Sequence, residues 1–272
     1  MNTLKNILPL LILLFLQACT FTKPDANTAS ETDICAATSN NCTFVVFSES
    51  SDKLLIINEA RARQAFTPAS TFKIANSLIA LETSTITDAK QILAIDYELY
   101  PIEDWWQSSW SSERHDLRSA FQNSVLPIYR GIASQIGAPR MSEYLARFNY
   151  GNQDITSGID YFWVNGSLKI SALEQIRFLQ NIYHNEYSLQ EESLQTLKEI
   201  MLADDTGAYK LYAKTGAALI DEGTVIAWYV GFIENQDGVH YFAFNLQAPP
   251  SPETALARTQ LPLNYLTQAG II

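Results

Sequence analysis

The chain has 272 residues, of which 47% are hydrophobic and 17% are charged, enough to bury one large core or two lobes that share an interface. Its formal net charge of −11 repels phosphate backbones, and no run of Lys and Arg in the sequence offsets it. Nucleic acid is therefore excluded as an expected partner.

The first predicted element is a signal segment, residues 1–18. It contains an almost wholly apolar run, residues 7–16, which is too short to span a bilayer as a helix and is typical of a secretory signal. The segment ends in Leu-Gln-Ala-Cys19, which resembles a bacterial lipobox and makes Cys19 a candidate for lipidation. Ordinary signal cleavage near Ala18 is the alternative. We expect a periplasmic protein whose membrane contact, if any, is a lipid anchor at Cys19.

Residues 19–33 are polar and contain no large aliphatic side chain, so they predict a flexible tether. The catalytic domain is expected over residues 34–272. Near its start, Cys35 and Cys42 flank a polar turn in a protein bound for an oxidising compartment. Their spacing allows either a structural disulfide or two free buried thiols.

Runs of β-branched and aromatic residues predict strands at both ends of the domain, and the stretch from about 65 to 205 is predicted to be mainly helical. Two capping boxes, Ser171–Glu174 and Ser188–Glu191, are expected to start helices there, and Ser251 and Gly270 bound a C-terminal helix. This order implies an α+β fold, in which an antiparallel sheet from N- and C-terminal strands lies beside a helical lobe. The predicted strands are Thr43–Ser48, Leu54–Asn58, Tyr209–Lys214, Val225–Ile233 and His240–Leu246.

The segment after Pro68 carries the candidate nucleophile and its base. A helix is predicted from about Ser70 onward, and residues three apart on a helix are neighbours, so Ser70 lies beside Lys73. A serine hydroxyl needs an adjacent base, and lysine, with an ordinary pKa of about 10.4, can serve only when it is neutral. The apolar residues around Lys73 would lower its pKa by desolvation. A position near a helix start also offers backbone N–H groups to a developing oxyanion.

The Ser-x-x-Lys pattern alone is not specific. A second match, Ser50–Lys53, lies in a predicted polar turn where its lysine would be solvated and protonated. The added element is Lys214-Thr215-Gly216, at the end of a predicted strand. A lysine and a hydroxyl on a strand edge offer partners to a substrate carboxylate, and glycine lets an acyl group approach the backbone. Taken alone, this triplet is equally compatible with a solvated lysine before a turn.

Ser-x-x-Lys followed by Lys-Thr-Gly is the pattern of penicillin-binding proteins and class A β-lactamases, but the Ser-Asp-Asn motif of class A is absent from the sequence. The chain instead resembles the class D β-lactamases over nearly the whole mature sequence. The resemblance implies a β-lactamase/penicillin-binding-protein-like fold and hydrolysis of the β-lactam ring of penicillin-type antibiotics through a Ser70 acyl-enzyme. It rests on PASTFKIANSLIALET (68–83), Ser124-Val-Leu, Tyr-Gly-Asn (150–152), Tyr-Phe-Trp-Val-Asn-Gly (161–166), Lys-Thr-Gly (214–216), Ala-Trp-Tyr-Val-Gly (227–231) and the ending from Arg258.

By this resemblance, Lys73 reacts with CO2 to give a carbamate, N6-carboxylysine, that is the general base and is held by the indole N–H of Trp163. Only a neutral amine attacks CO2, so the apolar surroundings of Lys73 agree with this implication. Ser124 matches the serine that relays a proton to the leaving nitrogen and contacts Lys214. Apart from CO2 or bicarbonate, no cofactor is expected.

The resemblance also implies the substrate contacts. Arg258 matches the arginine that pairs with the substrate carboxylate, a role that suits its planar fork. Thr215 and Gly216 are expected to contact the substrate, and the backbone N–H groups of Ser70 and Ala217 to form the oxyanion hole. Taken individually, Trp163, Ser124 and Arg258 have ordinary structural explanations: core packing, a hydrogen bond within the serine's own helical turn and a surface ion pair.

One position departs from the family pattern. The middle motif is usually Ser-x-Val, where the valine packs near the carbamate, and the third residue here is Leu126. An added methylene could narrow the pocket or change water access, so carbamate stability and carbapenem turnover stay open. For the cluster of Trp105, Trp106 and Trp110, lining of the cleft, core packing and a lid are the alternatives.

Metal chemistry is not expected, because His115, His184 and His240 are scattered without ligand spacing. The main alternative to the hydrolase is a β-lactam sensor that is acylated without turnover, and a peptidoglycan transpeptidase or carboxypeptidase is the third hypothesis. Sensors follow transmembrane segments, whereas the single predicted signal segment of this chain is removable. The sequence therefore favours an enzyme that acts on a small β-lactam substrate.

Overall fold

A computed structural model describes Cys35 and residues 41–272 of the chain. The predicted signal segment, Cys19 and the tether over residues 19–33 lie outside the described residues. Within the described part, no helix has both the length and the apolar character needed to cross a membrane.

A six-stranded antiparallel sheet forms the backbone of the fold, in the order β2-β1-β8-β7-β6-β5. The N-terminal strand β1 pairs with the C-terminal strand β8, so the two ends of the domain build one sheet, as the sequence predicts. A second, two-stranded sheet joins β3 and β4. The strands are β1 (Cys42–Ser48), β2 (Lys53–Ile57), β3 (Ile92–Leu93), β4 (His115–Asp116), β5 (Leu202–Asp205), β6 (Tyr209–Asp221), β7 (Thr224–Asn235) and β8 (Gly238–Ala248).

The stretch predicted to be helical holds most of the helices, but two long parts of it are irregular. Residues 83–107 contain only the two-residue strand β3, and residues 149–171, here called the Trp163 loop, contain no helix. The helices are α1 (Glu59–Ala62), α2 (Lys73–Glu82), α3 (Ser108–Ser112), α4 (Leu117–Gln122), α5 (Leu126–Ile136), α6 (Ala138–Phe148), α7 (Ala172–Tyr183), α8 (Glu191–Met201) and α9 (Pro252–Gln268).

Both faces of the sheet are buried, which explains why β7 reads as a continuous apolar run rather than an alternating one. Successive side chains point to opposite faces. Val45 packs on the face covered by the helical lobe, whereas Phe44 and Val46 pack on the face covered by α9, with Leu266. The functional cleft forms on the lobe side.

The two predicted capping boxes can be compared with the observed helix starts. Ser171 and Glu174 form the predicted capping box. The box predicted at Ser188 is wrong, because Ser188 has a φ of 52° and α8 begins at Glu191 after a different N-cap residue without a side-chain cap. An N-cap residue needs an extended backbone, which Ser188 does not have.

The cysteine pair near the start of the domain is bonded. Cys35 and Cys42 form a disulfide with a Cα–Cα distance of 5.3 Å, which decides between the two alternatives that the sequence allowed. Cys42 is the first residue of β1, so the bridge ties Cys35 to a buried strand of the sheet.

Candidate active site

The nucleophile lies at a junction between two helical conformations. Residues Ala69–Phe72 form a short 3₁₀ helix that continues directly into α2, which begins at Lys73. This places the two side chains of the Ser-x-x-Lys motif on one face, with Lys73 Nζ 2.9 Å from Ser70 Oγ. Ala69, immediately before the serine, has a φ of 49°, a left-handed conformation that costs free energy for a non-glycine residue. The buried surroundings of Ala69 hold its backbone in this conformation.

Lys73 is fully buried. Desolvation lowers its pKa well below the ordinary value, and the positive charge of Lys214 lowers it further. The face of the Tyr129 ring, from α5, lies 5.0 Å from Nζ. The site therefore holds an amine that can be neutral near physiological pH, beside a serine hydroxyl, as a nucleophile and base require.

The Lys-Thr-Gly triplet lies in the middle of β6, not at the end of a strand, because β6 continues to Asp221. Lys214 is 4% exposed, so it is not a solvated lysine before a turn. Its Nζ donates to Ser124 Oγ at 2.5 Å and to the Thr215 carbonyl at 3.2 Å. Desolvation, with the charge of Arg258 as the second cause, lowers its pKa to about 7.

Ser124 lies at the corner between α4 and α5, with a φ of 55°. This left-handed corner turns the chain so that the serine hydroxyl meets the lysine of β6, although the two residues are 90 positions apart. The packing of neighbouring residues, such as the fully buried Val125, holds Ser124 in this unfavourable backbone conformation.

Gly216 lets β6 approach the nucleophile segment closely. A Cβ at this position would lie 2.9 Å from the Pro68 carbonyl oxygen and 3.2 Å from the Thr71 backbone nitrogen. Both distances are too short for a methyl group, so only glycine fits without moving the strand. The next residue, Ala217, is exposed and lines the cleft together with Ser70.

Trp163 is fully buried beside the nucleophile segment. Its carbonyl accepts hydrogen bonds from the Ala69 N–H at 2.9 Å and the Thr67 hydroxyl at 2.8 Å. Its ring stacks on Phe72 with centroids 5.4 Å apart. Its indole N–H, by contrast, is buried without a hydrogen-bond partner among the described residues. An unpaired buried donor is costly, so this N–H can donate a hydrogen bond to any acceptor that enters the site.

The cleft above Ser70 has a volume of about 920 Å³. Leu126 and Arg258 line it, and burial lowers the pKa of the Arg258 guanidinium. The tryptophan cluster also lines it: the rings of Trp105, Trp106 and Trp110 lie 5.6–6.4 Å apart at their centroids. Trp105 is 55% exposed and Trp110 is buried, so the cluster runs from the core to the mouth of the cleft.

Two residues of α5 were not anticipated from the sequence. Tyr129 lies under Lys73, and Arg130 lines the cleft and pairs with Asp160 of the Trp163 loop. Neither belongs to a motif. The only sequence signal was the apolar periodicity of α5, which predicts a core face for Tyr129 and says nothing of Arg130.

Each of the three histidines has a hydrogen-bond partner, and among the described residues these partners do not form a metal ligand set. His115 contacts the Ser109 carbonyl, His184 contacts Glu49, and His240 contacts Ser48, each at 2.5–3.1 Å. Over the described residues, no group of three or more His, Cys, Asp or Glu side chains is arranged to hold a metal ion.

The relatives of the chain agree with this geometry. Residues 38–261 match the penicillin binding protein transpeptidase domain. The chain is 40% identical to β-lactamase OXA-48 of Klebsiella pneumoniae over 228 residues, 84% of this chain and 83% of that protein. The crystal structure of FUS-1 (OXA-85), a class D β-lactamase from Fusobacterium nucleatum, superposes with a TM-score of 0.81 at 33% identity and covers 88% of this chain and 96% of that one. The chain belongs to the class D β-lactamase family. The resemblance seen in the motifs and the fold class are thus confirmed.

This class D β-lactamase family member also shares a domain with a regulatory protein. BlaR1 of Bacillus licheniformis is 31% identical over 228 residues, but the match spans 84% of this chain and only 37% of that protein. The lower identity and the partial coverage place BlaR1 as a more distant relative than the β-lactamases.

Proposed function

We propose that this chain hydrolyses β-lactam antibiotics through an acyl-enzyme on Ser70. The observation that carries the proposal is a fully buried Lys73, with its pKa lowered, 2.9 Å from the hydroxyl of Ser70 at a cleft of about 920 Å³. A neutral buried amine at that distance can take the serine proton as the oxygen attacks the lactam carbonyl carbon.

Acylation breaks the lactam C–N bond, so the ring nitrogen must receive a proton as it leaves. Ser124 and Lys214, joined at 2.5 Å, form a relay that can deliver that proton. The carbonyl oxygen becomes negative in the tetrahedral intermediate, and we assign its stabilisation to the backbone N–H groups of Ser70 and Ala217. Arg258 and Thr215 line the cleft and are the expected partners of the substrate carboxylate, with Gly216 keeping the strand close.

We further propose that Lys73 is carbamylated. Its neutral amine would form a C–N bond with CO2 and release one proton, and the resulting carboxylate would replace the amine as the base, taking the Ser70 proton in acylation and activating water for deacylation. Two features of this chain support the fit: the lowered pKa of Lys73 favours the amine that reacts, and the unpaired indole N–H of Trp163 is a donor without an acceptor. Leu126, which lines the cleft, is the neighbour whose extra methylene would tune water access.

The test is steady-state turnover of a chromogenic cephalosporin by the mature protein in bicarbonate buffer. We expect many equivalents of product per enzyme, and loss of turnover in Ser70→Ala and Lys73→Ala. The matched control is Lys53→Ala in the second Ser-x-x-Lys sequence, where the lysine is exposed, and its turnover should equal that of the parent. A single burst of one equivalent, with a stable acyl-enzyme in the mass spectrum, would instead identify a sensor.

We also propose export to the periplasm with lipidation of Cys19. The apolar segment and the Leu-Gln-Ala-Cys sequence support it, and the Cys35–Cys42 disulfide suits an oxidising compartment. Radiolabelled palmitate should enter the protein in cells and should not enter Cys19→Ala. An unlabelled protein whose mature sequence starts at or near Cys19 would show ordinary signal cleavage.

A further inference from the structure

Arg130 joins three separate segments at the wall of the cleft. It lies on α5, six residues after Ser124, and its guanidinium donates from Nε and Nη2 to Asp160 Oδ2 at 3.0 and 2.6 Å. The same guanidinium lies 4.4 Å from the ring centroid of Tyr100 and 5.1 Å from that of Tyr161. The Arg130 and Asp160 side chains are both 27% exposed, so the pair is largely shielded from solvent.

The residues that Arg130 holds begin the turn that carries Trp163. The Tyr161 carbonyl accepts hydrogen bonds from the N–H groups of Val164 at 2.9 Å and Asn165 at 3.2 Å. Trp163 lies inside the turn closed by these bonds. The position of Tyr161 therefore sets where the turn begins.

The Trp163 loop has a second attachment on the far side of the turn. There, the Trp163 carbonyl accepts from Ala69 and Thr67 of the nucleophile segment. These hydrogen bonds alone would still allow the rest of Trp163 to rotate about its carbonyl group. With Asp160 and Tyr161 held by Arg130 as well, the turn is fixed at two points. The backbone from which the Trp163 side chain extends is thereby fixed, and the stack on Phe72 orients the ring.

We propose that Arg130 is a positioning residue that holds the Trp163 loop so that the Trp163 indole N–H can donate a hydrogen bond to the carbamate of Lys73. The inference rests on the proposed carbamylation of Lys73. It assigns to the Arg130–Asp160 pair control over how tightly Lys73 retains CO2, although among the described residues neither side chain is hydrogen-bonded to Lys73.

The measurement is the bicarbonate concentration at which Lys73 is half carbamylated, followed by the carbamate signal in ¹³C NMR with labelled bicarbonate and, separately, by turnover. In Arg130→Gln and Asp160→Asn we expect this concentration to rise by up to about tenfold, but not beyond the rise in Trp163→Phe, which removes the donor itself. Arg130→Lys, which keeps the charge but loses the bidentate fork, should lie between. The double variant should be no worse than either single one, because both break the same pair.

The matched control is Arg147→Gln. Arg147 also lies over a tyrosine ring, that of Tyr144 at 5.6 Å, and also ties a helix to a loop through the carbonyls of Tyr187 and Ser188, but it does not line the cleft. Its half-saturating bicarbonate should equal that of the parent even if its Tm falls.

Trp163→Phe separates the possible failures. If it raises the half-saturating concentration and Arg130→Gln lowers only the Tm, the positioning role is overturned and the proposed base stands. If the parent protein shows no carbamate signal and no response to bicarbonate, the carbamylation and the positioning role are both overturned.

Discussion

Lys214 is a buried cation whose removal should stabilise the protein while it destroys the activity. The residue is 4% exposed, and desolvation, followed by the charge of Arg258, lowers its pKa from the ordinary 10.5 to about 7. Burial on folding therefore disfavours the protonated form of Lys214, which is the form that the unfolded chain holds at neutral pH. The perturbation is Lys214→Met, which keeps most of the side-chain volume and removes the charge.

The size of the effect follows from the pKa. The pKa of Lys214 falls from 10.5 to about 7 on folding. Below pH 7, the buried charge therefore destabilises the folded protein by about 5 kcal/mol, at roughly 1.4 kcal/mol per pKa unit. Methionine loses the hydrogen bonds to Ser124 and to the Thr215 carbonyl, worth about 1 kcal/mol each for a neutral amine. We therefore expect Lys214→Met to raise the free energy of unfolding by about 3 kcal/mol at pH 6, and the Tm by roughly 6–12 °C.

The gain should depend on pH in a defined direction. Between pH 7 and 10.5 the unfolded chain holds the proton of Lys214 and the folded protein does not, so the stability of the parent rises with pH in that window. Below pH 7 both states hold the proton and the cost is constant. The advantage of Lys214→Met should thus shrink by about 1.4 kcal/mol per pH unit above pH 7 and change sign near pH 9.

The assay is urea unfolding of the mature protein at pH 6, 7, 8 and 9 in CO2-free buffer, since a carbamate on Lys73 would change the field at Lys214. Turnover should fall by about 100-fold or more in the same variant. The control is Lys53→Met, an exposed lysine, whose free energy of unfolding should stay within about 0.5 kcal/mol of the parent at every pH. A Lys214→Met protein less stable than the parent at pH 6, or a difference that does not vary with pH, would refute the reasoning.

Three further predictions concern Trp163, Gly216 and the disulfide. Trp163→Phe keeps the stack on Phe72 but removes the unpaired donor, so it should require about tenfold more bicarbonate for half-maximal turnover. Gly216→Ala forces β6 away from the nucleophile segment and should lower kcat/KM about 10- to 100-fold, with an intact circular dichroism spectrum. Cys35→Ser opens the short Cys35–Cys42 loop and should lower the free energy of unfolding by about 2–3 kcal/mol, measured in urea, without changing kcat.

The sequence predicts those parts of the site that are local. Ser70 and Lys73 are three positions apart, so helical periodicity alone places them together, and the structure has Nζ and Oγ 2.9 Å apart even though the serine lies in a 3₁₀ helix. Five of the six strands of the large sheet were equally predictable, because they are apolar runs separated by polar turns, whereas β5 lies within the stretch predicted to be mainly helical. The α+β order of elements then limits how the two ends of the domain can pair.

What the sequence could not predict depends on backbone geometry or on distant partners. Lys214 was placed at a strand end because Thr-Gly follows it, yet β6 continues through the glycine, whose missing side chain is needed for contact with Pro68. The irregular Trp163 loop carries no periodicity. The Arg130–Asp160 pair joins residues 30 apart, and no pattern of either segment indicates that they meet.

If Lys73 is carbamylated as proposed, the three basic side chains of the cleft would couple CO2 uptake to the binding of an anionic substrate. Over the described residues, Lys73, Lys214 and Arg258 have no carboxylate within ion-pairing distance, and each lowers the pKa of the next: Arg258 that of Lys214, and Lys214 that of Lys73. A substrate carboxylate at Arg258 would offset the charge of Arg258, the smaller of the two causes after desolvation, and would raise the pKa of Lys214. A protonated Lys214 would in turn favour a negative carbamate on Lys73 over the neutral amine. Because such coupling is reciprocal, carbamylation should strengthen substrate binding by the same factor by which bound substrate strengthens carbamylation.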